Sequence, residues 1–84
     1  MLNWIKRFKT KPIIFEAIQW DGKDVNLIRD FVKIPHIKQG STIIIHSDKG
    51  NITANLTDWI VKNPNGEYMI YNKNTFEELY EEVE

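Results

Sequence analysis

Short stretches in which apolar and polar side chains alternate predict several β-strands in this chain. Residues 13–20 are rich in β-branched and aromatic side chains, with Pro12 before them and Asp21-Gly22 after them. Such a run between turn-forming residues is typical of a strand. Both of its faces are largely apolar, so we expect a central strand in which the carboxylate of Glu16 needs a partner.

Two hairpins are predicted further along the chain. Residues 42–47 and 51–56 flank the turn Asp48-Lys49-Gly50, and residues 58–62 and 67–72 flank Asn63-Pro64-Asn65-Gly66. Proline presets the backbone for a turn and Asn-Gly readily supplies a positive φ, which makes the second turn the strongest local signal. We therefore expect residues 58–62 and 67–72 to pair.

Two stretches have the apolar spacing of a helix. In residues 24–33, Asp24 is a candidate N-cap, Pro35 stops the helix, and one face carries Leu27, Ile28, Phe31 and Val32. In residues 75–83, Asn74 or Thr75 opens the helix and one face carries Phe76, Leu79, Tyr80 and Val83. We expect Phe31, Phe76 and Leu79 to lie in the core.

These elements predict an α+β fold, with a small, curved, mostly antiparallel sheet of four to five strands and two principal helices. The chain has 84 residues, of which 42% are apolar, enough for one domain over residues 12–84 after a basic segment over residues 1–11. It has no cysteine, so its stability must come from core packing, and a homo-oligomer would add to it.

The basic segment (residues 1–11) has two interpretations. Its apolar residues Trp4, Ile5 and Phe8 share a helical face among the basic residues Lys6, Arg7, Lys9 and Lys11. It is either an amphipathic anchor for a membrane or a partner, or a turn that packs on the domain's own core, and we favour the second. We expect no membrane span and no secretory signal, since long apolar runs are missing, and hence a cytoplasmic protein.

The residue types needed for catalysis are not clustered in the sequence. His36 and His46 lie on different predicted elements, and Ser47 beside His46 on a strand points to the opposite face. Paired glutamates near residue 80 are typical of a solvated helix face, and all four glycines are isolated. We therefore expect no enzyme, no metal site and no cofactor.

Aromatic residues around the second hairpin are the candidate binding residues, together with the basic segment. Trp59, Tyr68 and Tyr71 could form a binding surface with Lys6, Arg7, Lys9 and Lys11, or they could be core residues. The net charge is −1, with nine basic and five acidic residues in positions 1–50 against two and seven in positions 51–84. This balance does not favour specific nucleic-acid binding.

Several motifs resemble small phage and prophage proteins of the PGDYG type. Lys11-Pro12 followed by IIFEAIQW resembles their KKPVxVEAIQW opening, and residues 58–62, 65–68 and 75–81 resemble their PGDW or PGDY turn, NGEFY and FEKTYE motifs. The resemblance covers residues 11–82. Leu56-Thr57 stands where the pattern has Pro-Gly, which predicts a less tight turn before Asp58.

The resemblance implies a phage setting and an accessory role, without a mechanism. We expect a phage-encoded accessory protein that binds a host protein stoichiometrically in the host cytoplasm, such as an anti-defence inhibitor. One alternative is a protein that sequesters a small nucleotide, with Tyr or Trp faces for the base and Lys or Arg for the phosphate. Another is a minor virion or assembly component.

Overall fold

The chain folds into two helices and six strands, in a computed structural model that describes residues 5–8 and 12–83. In chain order the elements are β1 (Glu16–Gln19), α1 (Val25–Phe31), β2 (His36–Gln39), β3 (Thr42–Ser47), β4 (Gly50–Ala54), β5 (Trp59–Lys62), β6 (Tyr68–Tyr71) and α2 (Lys73–Leu79). The α+β class and the two helices are confirmed. The prediction of a single sheet is wrong, because the strands form two antiparallel three-stranded sheets.

The first sheet has the order β1-β5-β6, so β1 is an edge strand. The expected central position of β1 is therefore wrong. Both faces of β1 are apolar for another reason: one face points to the core, and the other points to the side of the sheet that carries α2. Glu16 is exposed and stands opposite Lys62 of β5, so its charge remains in water beside an opposite charge. β5 and β6 pair as predicted around Asn63–Gly66.

The second sheet has the order β2-β3-β4, and β2 is the strand that the sequence pattern did not predict. Three of its four side chains are exposed, so no alternation of apolar and polar residues marks it. It forms because Gly40, with φ of 64°, turns the chain back so that β2 pairs with β3. A short edge strand of this kind is specified by its neighbour more than by its own side chains.

The core lies between the two sheets and α1. Its fully buried side chains come from all three parts and from the loop after β1: Trp20, Ile28, Ile43, Ile45 and Ile60. The Trp20 indole donates a hydrogen bond to the carbonyl of Ser41 over 2.8 Å, which satisfies its polar atom inside the core. Phe31 is half-buried and packs against this cluster, close to its predicted role.

The helix ends explain one success and two errors of the sequence analysis. Asp24 caps α1 as predicted, accepting a hydrogen bond from the Leu27 amide over 3.0 Å. α2 is capped by Asn72, not by Asn74 or Thr75, so it starts and ends earlier than predicted. Because the backbone is extended from Tyr80 onward, Leu79 ends 61% exposed, and its predicted core position is wrong.

Within the described residues, no helix is long and apolar enough to cross a membrane.

Candidate functional site

An aromatic cluster covers the face of the β1-β5-β6 sheet that points away from the core. Side chains alternate along a strand, so Trp59 and Tyr71, which are cross-strand partners, project together onto this outer face. α2 then brings Phe76 onto Trp59, with ring centroids 4.2 Å apart and planes 9° from parallel. The aromatic cluster is defined by five side chains: Phe15, Trp59, Tyr71, Phe76 and Tyr80.

Tyr80, just past the end of α2, contacts three of the other four rings of the aromatic cluster. Its ring centroid is 5.2 Å from that of Phe15, 5.6 Å from that of Tyr71 and 5.0 Å from that of Phe76. The Tyr71 hydroxyl, by hydrogen bonding, and burial together raise the pKa of Tyr80 to about 12. The phenol is therefore neutral at physiological pH and contributes apolar surface with a polar tip.

The indole N–H of Trp59, unlike that of Trp20, has no hydrogen-bond acceptor. Among the described residues, the buried Trp59 Nε1 is the side-chain polar atom that finds no hydrogen-bond acceptor. A buried donor without an acceptor costs about 1–3 kcal/mol. The ring itself is half-buried and lines a surface groove, so the cluster is not packed as completely as the core.

An apolar groove of about 270 Å³ adjoins the aromatic cluster, and we call it the outer groove. Its lining residues come from three parts of the chain, before and in β1, in β5, and from α2 onward: Ile13, Ile14, Phe15, Ala17, Trp59, Phe76, Tyr80, Glu81, Glu82 and Val83. Three of its aliphatic residues are largely exposed, at 59% for Ile13, 62% for Ile14 and 63% for Val83. Glu81 and Glu82 also line it, so an apolar surface carries an acidic rim.

The free edge of β1 lies beside the outer groove. Within residues 5–8 and 12–83, β1 pairs with β5 alone, and the backbone amide of Trp20, just after β1, donates to the Asp58 carbonyl over 2.8 Å. In an antiparallel ladder the backbone groups alternate between the two sides, so those of Ala17 and Gln19 point away from β5. An extended segment could therefore add to this edge while its side chains enter the groove.

Tyr68 does not share the surface of the other two hairpin aromatics. It projects onto the inner face of the sheet, where its hydroxyl accepts a hydrogen bond from the Lys33 amide over 2.9 Å and donates one to the Phe31 carbonyl over 3.1 Å. Its ring meets that of Phe31 edge-on at 6.1 Å. Tyr68 thus ties β6 to the end of α1, whereas Trp59 and Tyr71 lie on the outer face.

Part of the basic segment is described, and its side chains are exposed. Lys6 and Arg7 are exposed, while Lys9 and Lys11 lie outside the described residues. Ile5 is 77% exposed and Phe8 is 89% exposed, so neither packs on the domain's own core. The interpretation that this segment packs on the core is wrong for these two residues. Trp4 lies outside the described residues.

The histidines have local structural partners. His46 is exposed on β3 and hydrogen bonds to the Asn51 amide oxygen over 2.8 Å, and His36 bonds to the Ile34 carbonyl over 2.8 Å. In the part of the chain that the structure describes, no three metal-ligating side chains come together. The Ser47 hydroxyl donates to the Gly50 carbonyl in the turn after β3.

The turn before β5 contains a strained residue. Thr57 has φ of 71°, in the left-handed region, while every other described residue with positive φ is a glycine. The Asp58 amide donates to the Asn55 carbonyl over 3.0 Å, and the Asp58 carboxylate accepts from the Asn55 amide over 2.9 Å. A four-residue turn with positive φ at its third residue has the form of a type II turn, which favours glycine there.

The outer groove was not predictable from the sequence pattern. Ile13, Ile14 and Val83 were counted as strand and helix residues, and Glu81 and Glu82 as the solvated face of a helix. Their common location depends on the early end of α2 and on the edge position of β1, and both are set by contacts between distant parts of the chain.

Comparisons of the chain with protein-family models, curated proteins and solved structures find no match.

Proposed function

We propose that this chain is an accessory binding protein, encoded by a phage, that acts stoichiometrically on a host protein. The outer groove is the observation that carries this proposal. Soluble domains seldom leave a contiguous apolar surface open, and such surfaces usually mark interaction sites. Here three exposed aliphatic side chains stand beside five clustered aromatic rings, and Trp59, Tyr71 and Tyr80 among these are of the residue types enriched in binding hot spots.

The chemistry of the groove favours a partner segment with apolar and basic side chains. Apolar side chains would pack against Trp59, Phe76 and Val83, and a basic side chain would meet Glu81 and Glu82 at the rim. The free edge of β1 favours an extended conformation of that segment. Binding of this kind needs no reaction, so the protein would act one to one with its partner.

The phage setting follows from the resemblance in sequence, and one backbone feature supports that resemblance. The PGDYG-type pattern has Pro-Gly where this chain has Leu56-Thr57, and Thr57 has the positive φ that glycine would adopt without strain. Proline before a glycine is a common pair in a type II turn. A phage protein that binds a host protein stoichiometrically would act, for example, as an inhibitor of a host defence protein.

Capture of the partner with matched variants tests the proposal. The full chain carries an affinity tag and is compared with Val83→Asp and with Ile37→Asp, which puts the same change on the 50% exposed Ile37 of β2, in the other sheet. We expect a protein from bacterial host lysate to bind the parent and Ile37→Asp in a one-to-one complex and to be lost with Val83→Asp.

Two outcomes would contradict the proposal. If all three forms capture the same proteins equally, the outer groove is not the binding site. If mass spectrometry of the purified protein instead shows one equivalent of a small nucleotide, the ligand-sequestering alternative replaces it. Folding of each variant is checked by circular dichroism, and both substituted side chains are exposed enough to leave it unchanged.

A further inference from the structure

The basic segment and residues 76–84 carry opposite charges, and both also carry apolar side chains. The basic segment has four basic residues, Lys6, Arg7, Lys9 and Lys11, and no acidic one. Residues 76–84 have five glutamates and no basic residue, and two of these glutamates, Glu81 and Glu82, line the outer groove. The basic segment thus has the apolar and basic composition that the groove favours.

The basic segment does not fill the groove of its own chain. Phe8 and Ile5 are among the most exposed large apolar side chains, and no residue of 5–8 lines the outer groove. The exposed Phe8 and the open outer groove leave two apolar surfaces in water, and a second copy could cover both. The basic segment and the outer groove are therefore complementary: each has exposed apolar side chains, and their charges are opposite.

We infer that the basic segment of one copy binds in the outer groove of a second copy, and that two copies exchange these segments reciprocally. Phe8 and Ile5 then pack against the exposed Ile14 and Val83, and Lys6 or Arg7 meets Glu81 and Glu82 at the rim. This inference rests on the proposed role of the groove as a binding site. It makes the basic residues interface residues toward a second copy, and the host partner would compete with that copy.

The basic segment lies close in sequence to residues that line the groove. Residues 13–15, which follow the basic segment after Pro12, line the groove. Seven residues, 5–11, can span roughly 24 Å when extended. In a two-fold symmetric pair the same two surfaces meet twice, so every contact counts twice toward stability of the dimer.

A charge-exchange experiment on the full chain tests this inference. One variant carries Lys6→Glu, Arg7→Glu and Lys9→Glu, and the other carries Glu81→Lys and Glu82→Lys. Each alone has like charges on segment and groove, whereas a mixture of the two restores opposite charges at both contacts. We expect the parent to be a dimer by sedimentation equilibrium, each variant alone to dimerise at least ~10-fold more weakly, and the mixture to form a one-to-one heterodimer.

The matched control exchanges charges elsewhere. Glu77→Lys changes one glutamate of α2 that does not line the groove, and it should leave the dimer unchanged. Raising salt from ~0.05 M to ~0.5 M should weaken the parent dimer. A parent that stays monomeric at all concentrations, including one whose segment returns to its own groove, overturns the inference. So does a mixture that fails to form the heterodimer.

The dimer measurement is independent of the host partner. It uses only the purified chain, so a failed capture from lysate leaves it intact. Conversely, the chain could fail to dimerise and still capture a host protein through the groove. That result would overturn the dimer and leave the proposed function in place.

Discussion

The two faces of the β1-β5-β6 sheet differ in both composition and closure. The inner face presents aliphatic side chains to the core, and its Ile60 is fully buried in the same core cluster as Ile43 and Ile45 of the other sheet. The outer face presents aromatic rings to α2, and Trp59 and Tyr71 are only half-buried there. The same strands therefore carry a closed core on one side and an incompletely covered surface on the other.

Helix length explains the difference. The inner face is covered by α1 and a whole second sheet, whereas the outer face is covered by α2, which has seven residues. A helix of that length is ~10 Å long and cannot cover a three-stranded sheet. Flat aromatic rings close part of the gap, and Val61 is fully buried beneath them, but the groove next to β1 stays open. The inner face thus supplies stability and the outer face supplies a surface for binding.

The largest expected effect is on the inner face. Ile60→Ala should lower the free energy of unfolding by about 3–4 kcal/mol, because it removes three buried carbons and leaves a cavity. Ile14→Ala, at a 62% exposed position, should change it by less than ~0.5 kcal/mol. Urea denaturation measures both. Equal effects of the two substitutions would break the distinction between a closed core and an open groove.

An intermediate effect is expected at the cover of the outer face. Phe76→Ala removes the ring that stacks on Trp59 at 4.2 Å and should cost about 1–3 kcal/mol, since Phe76 is half-buried. The same denaturation series measures it, with Leu79→Ala as the exposed control on the same helix. A cost as large as that of Ile60→Ala would show that the outer face is as closed as the core.

A gain in stability is expected at the turn that leads into β5. Thr57→Gly relieves a left-handed backbone conformation that costs a side chain about 1–2 kcal/mol, partly offset by the greater freedom of glycine in the unfolded chain. The net gain should be about 0.5–1 kcal/mol. Thr57→Ala keeps the Cβ atom and should bring no such gain. A loss with glycine would mean that the turn does not strain Thr57.

The smallest effect concerns the titration of Tyr80 in the aromatic cluster. Its pKa is raised to about 12, first by the Tyr71 hydroxyl and then by burial, so Tyr71→Phe should lower the pKa of Tyr80 toward 10. The folded state binds this proton more tightly than the unfolded state does. The associated stability is therefore full below pH 10 and is lost as the pH rises toward 12. Carbon NMR of the tyrosine rings measures this pKa, and an unchanged value in Tyr71→Phe would assign the shift to burial alone.

Local signals predicted the elements whose residues interact with near neighbours in the chain. The Asp24 cap and the hairpin at Asn63–Gly66 follow from side chains within four positions of each other. The edge position of β1 depends on its pairing with the distant β5, which composition does not encode. β2 pairs with its neighbour β3, and it was missed because its own exposed side chains show no strand pattern. The sequence grouped Tyr68 with Trp59 because both flank the second hairpin turn, although alternation along β6 places Tyr68 opposite Lys62 on the inner face.

The candidate site was predictable in its residue types and not in its location. Trp59 and Tyr71 were recognised as candidates because aromatics with polar tips are typical of interfaces. The basic segment was recognised by its charge, and its role as a binding element stays a prediction. The groove itself requires Val83 and Ile14 to line one surface, which depends on where α2 ends.

An intermolecular NMR experiment tests most directly whether the outer face, and not the inner one, receives a segment of another molecule. A sample mixes full chain labelled with carbon-13 at its methyl groups with unlabelled chain, and the spectrum selects contacts between the two. The account predicts contacts from the Phe8 ring of one copy to the methyls of Ile14 and Val83 of the other, and none to Ile60. Contacts that arise only within one copy, or no contacts to these methyls, would contradict it.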